Sequence, residues 1–598
     1  MADTADALYR DALAACEQGR IEDGVAILHR ARVLAPDQAR IHGLLGKALI
    51  HLGRNEEALA SFDRALALGS ANADLHGGRA DALVALSRRE EAVQGYDRAL
   101  ALKPESVNEW CNRGAVLQDL GRYEQAADSC GRAIALAPDF APAHYNHGIA
   151  LAALKRHAQA LASLDRAIAL EPNYANAHNN RANALDQLGR RDEALASVER
   201  ALAIEPAHRA ALVTRAVILR KLGRSEDALA SCDRALSLWP DDSEALTVRA
   251  DALIDLERFD EAVSACDRVI ALDPKGVAAK WNKSLLCLGL GRFKEGWGLY
   301  EHRWQGQKGL VPRPYHQPRW NGGRVDGPLL IWSEQGIGDE ILHSCMIEDV
   351  LARTDEVVLE AEPRLQALFK RSFPTVKVIP FSEALYRGPV GAQIGMGGLG
   401  GFFRTNWSDF PRRARGHLVP DLARAQAYRA RLAPDGKALV GLTWHSRAAT
   451  GKSKSTTLPE IANLLRLPGC RFVDLQYGDT RAEREAAERD LGIRVEHLDD
   501  VDNMNDIDGL AALITACDCV VAVSNVTAHL AGAVGQRTWV MVPRGGGRLW
   551  FWFHQGDDSP WYPRVHVRRQ KPMQSWSDLV TSFTDEVAAH IGGRRNDA

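Results

Sequence analysis

Three short stretches hold side chains whose types and spacing could do chemistry. In residues 329–344 ("LLIWSEQGIGDEILHS") an apolar run reads as a buried strand. Glu334, Gly336, Gly338 and Asp339 come next, and an apolar-periodic segment then carries His343. Strand, glycine-rich turn and helix is a layout that brings backbone close to a phosphate or a sugar. The loop lacks the third glycine of a dinucleotide fingerprint and the Gly-Lys-Ser/Thr ending of a P-loop, which argues against dinucleotide or ATP binding. Asp339 stands where the strand hands over to the helix, so holding a ligand, doing chemistry and turning a corner are all open to it. In residues 522–543 ("AVSNVTAHLAGAVGQRTWVMVP") a strand runs into Ser524 and Asn525, and then comes a helix carrying Thr527 and His529. Hydroxyls and free N–H groups at such a helix start suit a phosphate. The third stretch, residues 445–460 ("HSRAATGKSKSTTLPE"), is a loop bearing Arg447, Lys452 and Lys454.

Two α/β series must position these residues. Strands are expected at 329–332, 356–360 and 376–380, then at 438–444, 471–476, 494–497, 519–523 and 538–542. Helix-like stretches lie between, and a Gly-rich region at 393–420 ends the first series. Alternation of this kind predicts two doubly wound lobes with a ligand cleft between them. The tail after residue 561 includes a helix expected to pack back across.

The first half is different. Prolines recur every 34 residues at Pro36, Pro104, Pro138, Pro172, Pro206, Pro240 and Pro274, with Ser70 in the missing place. Alanine holds a second phase from Ala58 to Ala262, and a third phase is always small, from Gly46 to Ser284. Gly-Arg pairs such as Gly121-Arg122 and Gly189-Arg190 mark the middle of each unit. Small residues let two helices approach, Gly-Arg separates them, and Pro starts the next unit. Period and positions are those of the tetratricopeptide repeat. About eight units fill residues 3–274, and a divergent ninth runs to 308 and is expected to dock the solenoid on the C-terminal lobes. Residues 306–323 have the composition of a linker. The expected organisation is a solenoid at 1–308, a linker at 309–325 and lobes at 326–425 and 426–598.

Such arrays offer an extended concave face to peptides. Asn112, Asn146, Asn180 and Asn282 share one phase, although Asn is a mediocre helix former. An amide, both donor and acceptor, can grip an extended backbone regardless of sequence; duplication of a harmless surface Asn is the plainer account. A similar asparagine ladder lines the superhelix of the O-linked N-acetylglucosamine transferases.

Bulk properties narrow the field. A net charge of -3 gives no general reason to expect nucleic-acid binding. No apolar run is long enough to span a bilayer, and the first ten residues lack the apolar core of a secretory signal. Ten cysteines without a Cys-x-x-Cys pair suit a reduced, cytoplasmic, metal-free chain.

Together "EQGIGDEILHS", "GLTWHS", "DLQYGD", "AALITACDCVVAVSNVTAHLAGAVG" and "SPWYPRVHVRRQ" resemble the C-terminal module of bacterial repeat-fused glycosyltransferases, relatives of the heptosyltransferases. The resemblance covers residues 296–590. It implies a two-lobed GT-B (double Rossmann-like) fold behind the TPR α-solenoid, an α + α/β chain. It also implies a metal-independent, inverting transfer without a cofactor beyond the nucleotide-sugar donor. Asp339 matches the aspartate that serves as base toward the acceptor hydroxyl; Glu334 is the second candidate, and His343 could face the cleft. The family's Asp-Thr before the donor-phosphate helix reads Ser524-Asn525 here, while Thr527 and His529 are kept, a departure compatible with a donor carrying one phosphate, such as a CMP-linked sugar. Lys454, with Lys452 and Arg447, matches the loop that clamps donor phosphate, and Gln476 would touch base or ribose. Trp550 and Trp552 could close over the donor or belong to the core. The whole architecture resembles flagellin glycosyltransferases, in which repeats recruit flagellin and the module moves a nonulosonic acid such as pseudaminic acid onto Ser/Thr. A lipopolysaccharide or other glycan acceptor, and a non-catalytic scaffold with a decayed module, are the competing readings.

Overall fold

The computed structural model describes residues 2–69, 72–306, 310–411, 415–446, 451–544, 549–571 and 573–594. By internal contacts the chain forms two compact units, Met1–Val248 and Arg249–Ala598.

The first unit is a run of antiparallel helix pairs, for example Val107–Asp119 with Tyr123–Leu136 and Ala141–Ala153 with His157–Leu170. The small phase works as the sequence indicates. A Cβ on Gly114 would come within 2.5 Å of the Cys130 sulfur and 3.3 Å of the Ala126 carbonyl, so only glycine allows this approach. Cys130 at this contact and Cys232 in a later unit are buried thiols, as core residues. The turn between paired helices requires the left-handed region. Glycine supplies it at Gly121, Gly189 and Gly223, while Ser87 and Lys155 adopt φ 60 at the same phase without glycine's freedom.

The second unit begins inside the repeat array. Its ninth repeat pairs Val277–Gly289 with a shortened helix, Phe293–Tyr300. The change to "EGWGLYEHRW" has a physical consequence. Trp297 donates its indole N–H to the Arg404 carbonyl (2.8 Å), and Phe293 packs with Trp407, Phe410 and Phe553. Leu288, Phe293, Trp297 and Tyr300 share one hydrophobic core with both β-sheets of the unit. Burial of this size is the dominant favourable term in folding, which explains why the compact boundary falls within the array and not at its end.

Among the described residues ten strands form two parallel sheets. The first orders β3 (Lys377–Pro380), β2 (Val357–Ala361), β1 (Leu329–Trp332) and β4 (Ala392–Gly395). The second orders β10 (Val565–Arg569), β9 (Thr538–Val542), β8 (Cys519–Val523), β5 (Ala438–Thr443), β6 (Cys470–Asp474) and β7 (Val495–Glu496). Every registered pair is parallel. β1, β2, β8 and β9 are buried along their whole length, as strands covered on both faces must be.

Two strands lay hidden in the sequence. β4 sits in the Gly-rich region read as the end of the first lobe, and β10 lies in "RVHVRR", whose charges mask an edge strand. The helix Trp576–Arg594 packs Leu579, Val580 and Phe583 into the second core. The segment expected as a linker is laid against the first sheet: buried Trp320 donates its backbone N–H to the Gln393 carbonyl at 2.8 Å, and Arg313 pairs with Glu360 at 3.1 Å.

Candidate functional site

Strand order decides where a site can form. From β1 the chain proceeds to β2 and β3 on one side, then returns to place β4 on the other. From β5 it proceeds to β6 and β7, then crosses to β8. At each reversal the loops leaving the carboxyl ends of adjacent strands diverge, and the crevice so opened is the general ligand position in open parallel sheets. The loops after β1, β5 and β8 are the three stretches singled out by their residues. They line one cavity of about 640 Å³ with Gln335, Gly338, Asp339, Ser446, Lys454, Ser524, Asn525, Thr527 and His529 on its walls. The helices Ile337–His343 and Val526–Ala533 meet there; a Cβ on Gly338 would lie 3.5 Å from the His529 ring.

Asp339 sits in the first turn of its helix, half-buried at the cavity wall. Burial, and then the charge of Glu334, push its pKa up to about 7, while backbone N–H groups and Lys454 pull the other way. The carboxylate therefore exchanges its proton near neutrality, as a general base requires. Lys454 is 2 % exposed, and burial lowers its pKa against the opposing attraction of Asp339.

Glu334 has a different setting. One oxygen accepts from Arg303 at 2.9 Å and the other from the Gly397 backbone N–H at 2.7 Å, and both partners of the ion pair are buried. A Cβ on Gly395 or Gly397 would collide with this carboxylate, which accounts for these two glycines of "IGMGGLGG", while one on Gly400 would collide with Trp297. The Arg303 guanidinium is further enclosed by Trp304 and Tyr300, 4.0 and 4.8 Å from the ring centroids. Glu334 thus anchors the loop that carries Asp339. His343 is not among the residues lining the cavity. It is 1 % exposed beside Trp561, its Nε2 has no hydrogen-bond partner among the described residues, and burial lowers its pKa to about 3.

At the second lobe, Asn525 caps its helix by accepting from the Ala528 N–H at 3.2 Å. Its Nδ2 donates to Thr443 Oγ1 (3.0 Å) and to the His445 carbonyl (3.1 Å), so it also ties the end of β8 to that of β5. Ser524 Oγ accepts from the Trp552 indole at 2.8 Å. Thr527 is fully buried, its hydroxyl 3.5 Å from the Leu475 carbonyl. The backbone N–H groups of Val526 and Thr527 have no partner among the described residues, and with the helix dipole they make an anion seat. His529 is buried against Trp552 (4.9 Å, stacked) with Nδ1 3.1 Å from the Tyr562 hydroxyl, and burial lowers its pKa to about 3.

Gln476 lies outside the main cavity. Its Oε1 accepts from the N–H groups of Trp444 and His445 (3.1 and 2.8 Å), and it borders an adjoining cavity of about 480 Å³ with Thr456, Tyr477 and Asp479. Arg447 and the side chain of Lys452 lie outside the described residues. Trp550 lines the cavity, whereas Trp552 is core, 1 % exposed.

Three of the Asn-phase residues belong to the first unit. Asn146 Nδ2 donates to Cys111 Sγ (3.3 Å), Asn180 Nδ2 to the Tyr145 hydroxyl (3.2 Å) and Asn112 Nδ2 to Asp81 (3.4 Å), each reaching back one repeat. Asn112 and Asn282 are exposed, Asn146 and Asn180 half-buried.

Sequence reasoning did not place Trp281, Leu285 or Tyr300 in the cavity, yet all three line it. The available signal was a tryptophan beside Asn282 in the unit whose second helix diverges.

Comparisons with known proteins agree with the first half of this picture. Tetratricopeptide-repeat families match residues 9–73, 53–107, 107–140, 148–189, 179–243 and 219–284. Protein FlbA of Caulobacter vibrioides is 31% identical over 334 residues, covering 51% of this chain and 55% of that protein. The alignment thus spans about half the length of that curated relative. Among solved structures, YrrB, a TPR protein with an unusual peptide-binding site, is 25% identical and matches 31% of this chain and 95% of its own at a TM-score of 0.28. A tetratricopeptide repeat protein from Parabacteroides merdae is 19% identical, with 41% and 98% coverage and a TM-score of 0.35. By the family matches the N-terminal half carries tetratricopeptide repeats, and no described helix is long and apolar enough to cross a membrane.

Proposed function

We propose that this chain is a protein O-glycosyltransferase with a GT-B catalytic module. Its repeats recruit a polypeptide, and the cavity between the two sheets moves a sugar from a nucleotide-activated donor to a Ser or Thr hydroxyl. The observation that carries this reading is one cavity bringing Asp339, with a pKa near 7, together with Lys454 and the N-terminus of Val526–Ala533. In the reaction, the acceptor hydroxyl oxygen attacks the anomeric carbon as Asp339 takes its proton. The bond from that carbon to the donor phosphate oxygen breaks, and the departing phosphate carries away the electron pair, stabilised by Lys454 and the helix N-terminus. The resemblance of the C-terminal module suggests flagellin as acceptor and a nonulosonic acid such as pseudaminic acid, CMP-linked, as donor.

The test incubates the full chain with flagellin and CMP-pseudaminic acid and reads the intact mass of flagellin. A mass increase that disappears with Asp339→Asn supports the proposal. An increase undiminished by that substitution removes Asp339 from the mechanism, and no increase with any nucleotide sugar removes the activity. One observation favours a second reading, a repeat scaffold with a decayed module. Ser524 and Asn525 spend their side chains on Trp552, Thr443 and His445 rather than presenting them to a ligand. Flagellin binding without transfer would select it.

A further inference from the structure

The ninth repeat contributes Trp281, Leu285 and Tyr300 to the cavity that holds Asp339. Trp281 shares the 34-residue phase of Cys111, Tyr145 and Asn179, and Leu285 that of Ile149 and Asn183. Both flank the asparagine phase, represented here by Asn282. An aromatic arc runs from Trp281 to Tyr300 (5.4 Å between ring centroids), to Trp550 (6.2 Å), to Phe551 (5.7 Å) and to His529 (4.7 Å). Tyr300, which packs on Trp281, reaches the loop of the base. Tyr300 receives a contact from Gln335 at 3.5 Å, in the Asp339 loop, and its hydroxyl is electrostatically coupled to Asp339. The anion seat at the Val526 and Thr527 N–H groups lies at the His529 end, on the same helix.

We infer that Trp281 and Leu285 are specificity-determining residues, forming a wall that takes an apolar side chain of the acceptor polypeptide close to the hydroxyl being modified. This rests on the proposed transferase reading only for the identity of the reaction; the selectivity is a property of the cavity. Both side chains are half-buried and hydrophobic in a cavity that must also admit a hydroxyl next to Asp339. Removing an aliphatic neighbour of that hydroxyl from water against Trp and Leu favours it by about 1.5–3 kcal/mol, a preference of about tenfold or more. A polar side chain there would lose water without gaining a partner.

The experiment measures binding of the full chain to two fluorescent 15-residue peptides with a central serine, one flanked by Val and Leu and the other by Asn. Wild type is expected to prefer the apolar peptide at least about tenfold, and Leu285→Asn and Trp281→Ala to bring the ratio close to one. Thermal melting reports folding; if Trp281→Ala melts without cooperativity, Leu285→Asn and Trp281→Phe decide, the latter keeping most of the preference. Equal binding of both peptides by wild type, or a ratio unaffected by Leu285→Asn, overturns the inference. So does a pattern in which the variants weaken CMP or UDP binding and leave the peptide ratio alone, since the wall would then serve the donor. A preserved ratio in a chain that transfers no sugar supports the wall and rejects the transferase, so the two ideas fail separately.

Discussion

Asp339 and Glu334 lie five residues apart in the chain and have opposite duties. Glu334 is satisfied twice and fixed by Arg303, while Asp339 stays half-buried with a raised pKa. In the proposed reaction Asp339→Asn removes the base and is expected to slow transfer by about 10²–10⁴-fold, read as the rate of acceptor mass increase. With the base titrating near 7, the wild-type rate should climb between about pH 6 and pH 8. Glu334→Gln takes away the like charge beside Asp339 and so moves that rise to lower pH; an unmoved limb would show that another group titrates. The same shift has a stability consequence. The folded-state pKa of Asp339 lies above its unfolded value of about 3.9, so the unfolded state gives up its proton first and stability declines as pH rises through that window. Asp339→Asn is therefore expected to raise Tm at pH 8 and to leave it unchanged at pH 4, by calorimetry.

At the scale of elements, the repeat turn shows how local chemistry and tertiary demand separate. Ser87, Lys155 and Glu257 hold φ 60 where other repeats use glycine. A side chain in the left-handed region costs about 1–2 kcal/mol, partly offset by the smaller entropy loss on folding. Lys155→Gly is thus expected to stabilise the protein by about 0.5–1 kcal/mol in urea titration, and a loss of stability would show that the side chain makes a compensating contact. The repeat phases were fully legible in sequence because each unit makes the same local contacts. β4 and β10 were not, since glycines and arginines hide a period of two, and only pairing with β1 and β9 reveals them.

At the scale of the molecule, the buried Arg303–Glu334 pair fastens the end of the repeat array to the loop bearing Asp339. Arg303→Ala leaves a buried carboxylate without its partner and should cost about 3–5 kcal/mol, seen as a lowered denaturation midpoint for the Arg249–Ala598 unit. The first unit is expected to act independently. Replacing Asn146 and Asn180 together with Ala should weaken recruitment of the proposed flagellin acceptor in pull-down and lower Tm slightly, since both amides bond the preceding repeat, while leaving nucleotide binding unchanged; a change confined to nucleotide affinity would end the asparagine-ladder reading.

What the sequence determined by itself were the features with a local cause: the 34-residue helix pairs, the strand-to-helix handovers at Asp339 and Ser524, and the residue types suited to proton transfer and anion binding. Tertiary structure alone decided which of them meet. Two sheet-order reversals bring the loops after β1, β5 and β8 to one cavity, turn Glu334 into an anchor and His343 into core, and admit Trp281 and Leu285 from a repeat helix. The reason is that strand order and burial are set by contacts between residues far apart in the chain, which no local spacing encodes.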